Sequence, residues 1–489
     1  MAWVEKKQTA KGIKYVGRYR GPDGKKRKSP PMDTKKAARE WAEDHEAAMR
    51  RGDWVDPAKG RVTFREWCHK WWELYDYRKT TESGYYSILN RHLLPEWGDT
   101  PLRGIEPLAV EAWVRKLRKT PKPNGDLYSE YHVQSIRRLL FTILEDAVAY
   151  DYLPANPARK RRRGTRTEPA PVKRQVHTSP LGALLFAERA AVLAGRDDEF
   201  LAAVMFAYTG LRWAELVGLE RKYIHPRKGM LFVEWELVEV NGKFHRSRPK
   251  THASIREIAL PEFLVDLLTT WLNRDDRTHL YMARGGGHPY GSHVSDNVWR
   301  PAADGWYPGR TNRHGTPIGD RPVLVDTRPG FPGVPHRPAW PAAEEHLEFG
   351  VPRGPGIKRF PDGGRPASWL PIEKGLSPHD LRRSMRTWLQ DDGIPMTAAE
   401  KRMGHEVPGV DAIYNVVTEG QRQMVLECLE ARWWDALAAR LEFSRTSPVP
   451  LLQGWLDLAA SRIDSGKLQW GSCPLFAPQE RLLEAPRGS

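Results

Sequence analysis

Thr209-Gly210-Leu211-Arg212-Trp213-Ala214-Glu215-Leu216 puts a helix breaker, a cation and a carboxylate into one short run. Gly210 ends one helix and Arg212 starts the next, where its guanidinium and the positive end of the helix dipole both face an anion. Glu215, three residues on, shares that helical face and is placed to hold the arginine. Alone, such a pair is the ordinary pattern of a surface salt bridge, so its weight depends on what accompanies it.

Three further segments do. Arg248-Pro249-Lys250-Thr251-His252-Ala253-Ser254-Ile255-Arg256-Glu257-Ile258 sets Lys250 in a connection between two strands, from which a long side chain can swing toward a site. His379-Asp380-Leu381-Arg382 follows Ser377-Pro378 at a helix start, so His379 and Arg382 share a face at the electropositive end, an arrangement suited to phosphate. Met403-Gly404-His405 reads as a helix stop, with Tyr414 at 414 − 405 = 9 residues further on. Taken singly these are a loop lysine, a capping histidine and a packing tyrosine. No Gly-rich loop with Lys-Ser/Thr is present, nor His-Glu-x-x-His. An enzyme acting on DNA without those parts must manage the phosphodiester with its own side chains.

The bulk numbers agree with such a substrate. At 489 residues two to four domains are expected. Lys plus Arg exceed Asp plus Glu by 77 − 61 = +16, which points to a polyanion, nucleic acid ahead of a membrane surface. No apolar run approaches the roughly 18–20 residues needed to span a bilayer, and Met1 to Lys14 hold no secretory apolar core. Cys68, Cys428 and Cys473 are far apart, which excludes a disulfide framework or Cys-based zinc site and fits a reducing cytoplasm.

Outward from the quoted stretch the fold class reads as multidomain: a small β-sheet plus helix at the N-terminus, an all-α domain, and a mixed α/β, mainly helical domain carrying the chemistry. Residues 1–60 give strands at 14–20 and 25–28 around the Gly21-Pro22-Asp23-Gly24 turn, then a helix capped by Asp33 or Thr34 and stopping at Gly52. Lys14, Arg18, Arg20, Lys25, Lys26, Arg27 and Lys28 make this sheet basic. With Tyr15 and Tyr19 on it, it has a shape that enters a DNA groove. Residues 63–160 show the capping-box spacing Thr63 to Glu66 and helical patterns near 64–77, 81–94, 107–119 and 129–150. A basic linker, 161–178, follows with Arg161, Arg162 and Arg163 at its start. Residues 179–445 carry a helix at 196–208 and strand-like segments at 230–240 and 254–260, joined through Asn241-Gly242. Further helices are expected near 378–392, 396–403 and 419–442. Residues 284–375, dense in Gly and Pro, read as an irregular insertion. Residues 446–489 read as a tail with one helical pattern near 450–463.

Thr-Gly-Leu-Arg-x-x-Glu-Leu, Lys-Thr-x-x-Ser-x-Arg-x-Ile, His-x-Leu-Arg, and Gly-His with Tyr nine later resemble, in order and spacing, the tyrosine recombinase (phage integrase) family. The resemblance covers 179–445 as catalytic domain. It extends more loosely to 63–160 as a core-binding domain, and 1–60 resembles the arm-type DNA-binding domain of phage and mobile-element integrases. It implies that Tyr414 attacks a scissile phosphate, leaving a 3′-phosphotyrosyl bond and a free 5′-hydroxyl. Arg212 and Arg382 would stabilise the transition-state charge. Lys250 would protonate the leaving oxygen, His379 would accept the tyrosine proton or bind the phosphate, His405 would donate to the phosphate, and Glu215 would support Arg212. Because the covalent intermediate conserves bond energy, neither ATP, a metal nor any other cofactor is implied.

The same resemblance implies core-type and arm-type sites on double-stranded DNA, a homotetramer on two duplexes, and an excisionase and a DNA-bending host protein as partners. Integration, with excision, of a mobile element is the activity expected. The alternatives are a DNA-binding regulator that keeps the fold without cutting, a chromosome-dimer resolvase, and a type IB topoisomerase. The complete constellation argues against the first and the basic N-terminal unit against the other two. Three departures stand out: Arg383 where the family often has histidine, the bulkier Ser384-Met385-Arg386-Thr387-Trp388, and the length of 284–375. Leu426, Leu429, Trp433 and Leu437 form an apolar face that fits either a neighbouring subunit or the chain's own core.

Overall fold

The chain divides into two units, Met1–Val172 and Lys173–Ser489. A computed structural model describes residues 2–9, 12–51, 54, 56, 59–122, 125–159, 175–274, 276–311, 317–326, 366–369, 371–406 and 416–466.

In the first unit three antiparallel strands, β1 (Trp3–Thr9), β2 (Gly12–Arg20) and β3 (Lys26–Lys28), run in the order β1-β2-β3. β1 pairs with β2 from Trp3 opposite Arg18 to Thr9 opposite Gly12. The sequence pattern does not signal β1, because side chains that are nearly all exposed carry no inward alternation. Helix α1 (Lys35–Arg51) is capped by the Thr34 hydroxyl, which accepts from the Ala37 N–H at 3.1 Å. It lies directly on β2 at Gly17, where a side chain would meet the Ala38 carbonyl. Tyr19 is therefore core, fully buried against Trp41, His45 and Trp54, and not a groove-facing ring as expected.

Helix α2 (Phe64–Trp72) has the expected Thr63/Glu66 capping box but ends at Trp72, short of 77. Helix α3 (Lys79–Ile88) runs on through a π turn, Leu89–Leu93, into Leu94–Trp97. α4 (Pro107–Lys119) and α5 (Glu130–Ala149) match their patterns. Their apolar faces close around Trp67 and Trp71, whose indole N–H groups donate to the Ile143 carbonyl and the Asp146 carboxylate at 2.9 and 2.6 Å.

The second unit begins with α6 (Pro180–Ala194) and α7 (Asp197–Thr209), the central pair of its core. Nearly every residue of both is buried, so neither shows the one-sided stripe of a surface helix, and α6 has no signature in the sequence pattern. Gly210 ends α7 in the left-handed conformation, φ 68°. After the short α8 (Trp213–Val217) come β4 (Ile224–His225), β5 (Met230–Val233), β6 (Glu236–Val240), β7 (Lys243–Ser247) and β8 (Arg256–Ala259).

The strand pairing differs from the sequence reading. Asn241 and Gly242, both at positive φ, turn β6 back onto β7, not onto 254–260. β8 does pair with the first part of the 230–240 segment, β5, in a sheet ordered β4-β5-β8. The β6–β7 hairpin is thus an excursion between two neighbouring strands. Helix α9 (Glu262–Arg274) follows, also unexpected.

The stretch read as an irregular insertion is partly ordered. Gly291–Val294, Ser295–Trp299 and Arg300–Asp304 form one helical run that buries Val294, Val298 and Trp299 in the core. Leu324–Asp326 pairs with Pro366–Ser368. Residues 327–365 lie outside the described residues. α10 (Pro378–Asp391), α11 (Met396–Met403), α12 (Glu419–Leu441) and α13 (Pro450–Asp464) complete the unit. Leu429, Trp433 and Leu437 pack into the chain's own core, with Trp433 stacked on Phe263 at 4.4 Å.

The boundary placed at 445 also moves. Leu451, Leu452 and Leu456 of α13 belong to the same core. Beside them the buried Glu188 carboxylate accepts from the Arg440 Nε and Nη2 at 2.7 Å each and from Ser447 Oγ at 2.8 Å. An ion pair out of water holds only with such full hydrogen bonding. Among the described residues Cys68 and Cys428 are free, and no helix is long and apolar enough to cross a membrane.

Candidate active site

Where α7 stops, Gly210 turns the chain so that Arg212 takes the N-terminal cap position of α8 and Glu215 lies one turn inside it. Glu215 Oε2 accepts from the Arg212 backbone N–H at 2.9 Å and Oε1 from Arg212 Nη1 at 2.6 Å. The same carboxylate takes Arg256 of β8, Nη2 to Oε2 at 3.0 Å. Burial opposes ionisation of Glu215, but Arg256 and Arg212 more than offset it and hold the carboxyl below the usual value. One buried carboxylate therefore fixes two guanidiniums.

Arg382 of α10 arrives from the other side. Its side chain is buried, donating to the carbonyls of Gly210 and Met403 (2.5 Å for the latter) and to His405 Nε2 at 2.8 Å. These acceptors are neutral. Burial, and after it the charge of Arg212, pull the Arg382 pKa down to about 9. Its Nε is a buried donor with no hydrogen-bond acceptor among the described residues. A buried guanidinium whose direct acceptors are neutral and which keeps an unused N–H suits an incoming anion.

Gly404, left-handed at φ 67°, ends α11 and brings three segments together. Its carbonyl accepts from Arg212 Nη2 at 3.2 Å, and a side chain there would meet the Ala253 carbonyl and Arg256. His405 follows. Arginine can only donate, so His405 Nε2 accepts and Nδ1 carries the proton, given to the Glu400 carboxylate. Glu400 also receives Arg386 Nε at 2.5 Å.

His379 lies in the first turn of α10, one turn from Arg382. Burial, with the charges of Arg383, Arg382 and Arg212 behind it, lowers its pKa from 6.5. Lys250 is exposed on the connection from β7 to the turn His252–Ser254. Next to it, the Thr251 hydroxyl meets that of Ser254 at 3.0 Å, and Ser254 accepts from Arg212 Nη1 at 2.9 Å. Tyr414 lies outside the described residues.

Arg212 with Glu215 and Arg382 with His405 thus form two contacting pairs that meet on the 403–405 backbone, drawn from segments up to 192 residues apart. Ser254, Arg256 and Glu400 join them without a part assigned from the sequence. Ser254 and Arg256 sit inside the quoted motif, whereas Glu400 has no signal beyond lying five residues before His405 across a helix end. The departures at 383–388 resolve into packing. Arg383 pairs with Asp380 at 3.1 Å, Ser384 and Met385 are buried, and the Trp388 indole donates to the Thr178 carbonyl at 2.9 Å.

On the basic sheet, Lys25, Lys26 and Lys28 are exposed, as is Arg20. Lys14 pairs with Asp33 and Arg18 with Glu5. Arg27 is committed within the protein, to Asp23 at 2.6 Å, to Asp56 at 2.7 Å and over the Trp54 ring at 4.7 Å. It holds the Asp23 carboxyl down at about 2. Arg161, Arg162 and Arg163 lie outside the described residues. Among the described residues no group of three or more His, Cys, Asp or Glu is placed to hold a metal.

Residues 63–118 match the family model described as phage integrase, N-terminal SAM-like domain. The chain is 25% identical over 426 residues to the prophage phiRv2 integrase of Mycobacterium tuberculosis, covering 85% of this chain and 92% of the relative. It is 27% identical over 233 residues to the integrase of Mycobacterium phage FRAT1, 44% of this chain and 64% of the relative. Among solved structures it is similar to the Tn1549 transposon integrase in complex with transposon right end DNA, at 15% identity. That match covers 75% of this chain and 99% of the other, with a TM-score of 0.49.

Proposed function

We propose that this chain, a member of the phage integrase family of tyrosine recombinases, cuts and rejoins DNA at specific sites through a 3′-phosphotyrosyl bond to Tyr414. The observation that carries the proposal is the pair of guanidiniums, Arg212 and Arg382, set about the Gly404 turn with His405 between Arg382 and Glu400. Such fixed donors need no reorganisation when charge develops on a pentacoordinate phosphate, and removing one typically costs on the order of 10²–10³ in rate.

In this reading Tyr414 Oη attacks phosphorus as its proton passes to His379, whose lowered pKa keeps it neutral and able to accept. The bond from phosphorus to the 5′-oxygen breaks, and Lys250 gives that oxygen a proton. The 5′-hydroxyl of the partner strand then reverses these steps and rejoins the DNA. His405, held at Nδ1 by the Glu400 carboxylate, would donate a hydrogen bond to the phosphate.

The 1–60 sheet would hold arm-type sites and the 63–160 helices core-type sites, with four protomers on two duplexes. An excisionase and a DNA-bending protein would set the direction between integration and excision of a mobile element.

Covalent capture tests the chemistry, using nicked duplex from the genome segment flanking the coding sequence, with wild type and Tyr414→Phe side by side. The expected result is a denaturant-stable, protease-sensitive adduct with wild type alone. An adduct with Tyr414→Phe would name another nucleophile. Tight binding that is never covalent on the best-bound site would make the chain a regulator that keeps the fold without cutting.

A further inference from the structure

The β6–β7 hairpin ends in two residues, Arg246 and Arg248, that share one strand face and meet one ring. The Arg246 guanidinium carbon lies 3.9 Å, and that of Arg248 4.3 Å, from the centre of the Trp235 indole. Trp235 stands at the junction between β5 and β6, where the chain leaves the sheet for the hairpin. It is itself fixed, its indole N–H donating to the Tyr223 hydroxyl at 3.0 Å. Arg246 is held a second time by Glu220 at 2.7 Å. The indole therefore fastens the returning strand of the hairpin back to the sheet from which it departs.

Lys250 comes two residues after Arg248, with the buried Pro249 between them. On its other side Thr251 is tied through Ser254 to Arg212. Lys250 thus hangs between two anchors, the Arg248–Trp235 stack and the Thr251–Ser254–Arg212 chain. The second anchor belongs to the phosphate-binding cluster. The first lies on the β6–β7 hairpin, at Trp235. A proline in the short span further limits the slack, since its φ is set.

We propose that Trp235 is a positioning residue for Lys250, holding the end of β7 through Arg248 so that the Lys250 ammonium reaches the 5′-oxygen as the phosphorus–oxygen bond breaks. The proposal rests on the leaving-group role of Lys250 given above. Its chemical consequence is specific: losing Trp235 impairs protonation of the leaving oxygen and leaves attack by Tyr414 and charge stabilisation by Arg212 and Arg382 in place. A substrate whose leaving atom is sulfur needs no such proton, because breaking the phosphorus–sulfur bond releases a stable 5′-thiolate.

The test compares single-turnover cleavage by full-length wild type, Trp235→Leu, Trp235→Phe, Arg248→Met and Lys250→Ala. Each acts on the nicked duplex that gives covalent capture, carrying oxygen or sulfur at the 5′-bridging position, with DNA affinity measured in parallel. Trp235→Leu and Arg248→Met should bind as wild type and cleave the oxygen substrate slower by on the order of 10²-fold, the scale of a misplaced proton donor. Both should cleave the sulfur substrate at the wild-type rate, as should Lys250→Ala, while Trp235→Phe keeps the ring face and stays near wild type on both. A Trp235→Leu defect equal on oxygen and sulfur, with Lys250→Ala rescued, overturns the positioning role alone. A Lys250→Ala defect that sulfur fails to rescue overturns the leaving-group reading and this proposal with it. A Trp235→Leu rate unchanged on oxygen also refutes it.

Discussion

The N-terminal sheet and the cluster around Gly404 are both basic, yet they carry their charge in opposite ways. Lys26 and Lys28 stand in water on a short strand, with Lys25 exposed just before it. Arg382 and Arg256 are buried, aimed by backbone carbonyls and by Glu215, which is itself 1% exposed. Charge in water is screened, adaptable and adds affinity without geometry. Charge out of water is costly to place, but once placed it is strong and already oriented. The first kind suits holding a polyanion anywhere along its length, the second suits one phosphate in one transition state. Arg27 shows that the division follows environment and not position, since within the sheet it is bound up with Asp23 and Asp56 as a structural residue.

The largest test of this contrast is Glu215→Gln. It leaves two guanidiniums without their shared anion, and breaking a buried pair typically costs about 3–5 kcal/mol. Urea unfolding of the full chain should show that loss in the transition of the second unit, together with slower cleavage. A midpoint that hardly moved would mean the two arginines need no carboxylate to stay in place.

A smaller effect should appear in acid. Since the His379 pKa is depressed from 6.5, the unfolded or unperturbed ring protonates first as pH falls. Cleavage that needs the neutral ring should stay level down through 6.5 and decline only below it. Arg383→Gln removes one of the charges that depress the pKa and frees Asp380, so the declining limb should move to higher pH. An unmoved limb would take the proton-acceptor role away from His379.

The smallest effect belongs to the sheet. Lys26→Ala with Lys28→Ala should make the dependence of log affinity on log salt shallower, by about 0.9 for each DNA phosphate that the variant no longer neutralises. The cleavage rate at saturating protein should change less than the affinity. A slope identical to wild type would place the DNA elsewhere than on this sheet.

What the sequence makes legible follows the same divide between local and distant causes. Stops and caps are local, and Gly210, Gly404, the Thr63 box and the Asn241-Gly242 turn are all readable. Arg212, Glu215, Arg382 and His405, which the structure brings together, are legible too, because each stands at or near a helix end. Hidden are the elements whose surroundings are uniform. α6 is buried on every side and β1 exposed on nearly every side, so neither has a periodic face to read. The split of 230–240 into β5 and β6, and the β7 strand onto which Asn241-Gly242 turns, are missed because the excursion between two paired strands is a tertiary choice that no local pattern encodes. Glu400 escapes for the same reason, its function lying wholly in which histidine and which arginine it meets.

The Glu188–Arg440–Ser447 ring has a consequence in time. Glu188 sits on the first helix of its unit, and its partner Arg440 lies 252 residues later. At a synthesis rate of roughly 5–20 residues per second, a ribosome delivers the arginine on the order of 10–50 seconds after the glutamate. Until then α6 has no cation with which to bury its carboxylate, and the core it belongs to stays open to water. The core of the second unit is therefore closed by a residue made long after its first helix, so a translation product interrupted between His405 and Arg440 has the arginines at Gly404 in its sequence but no closed core to aim them.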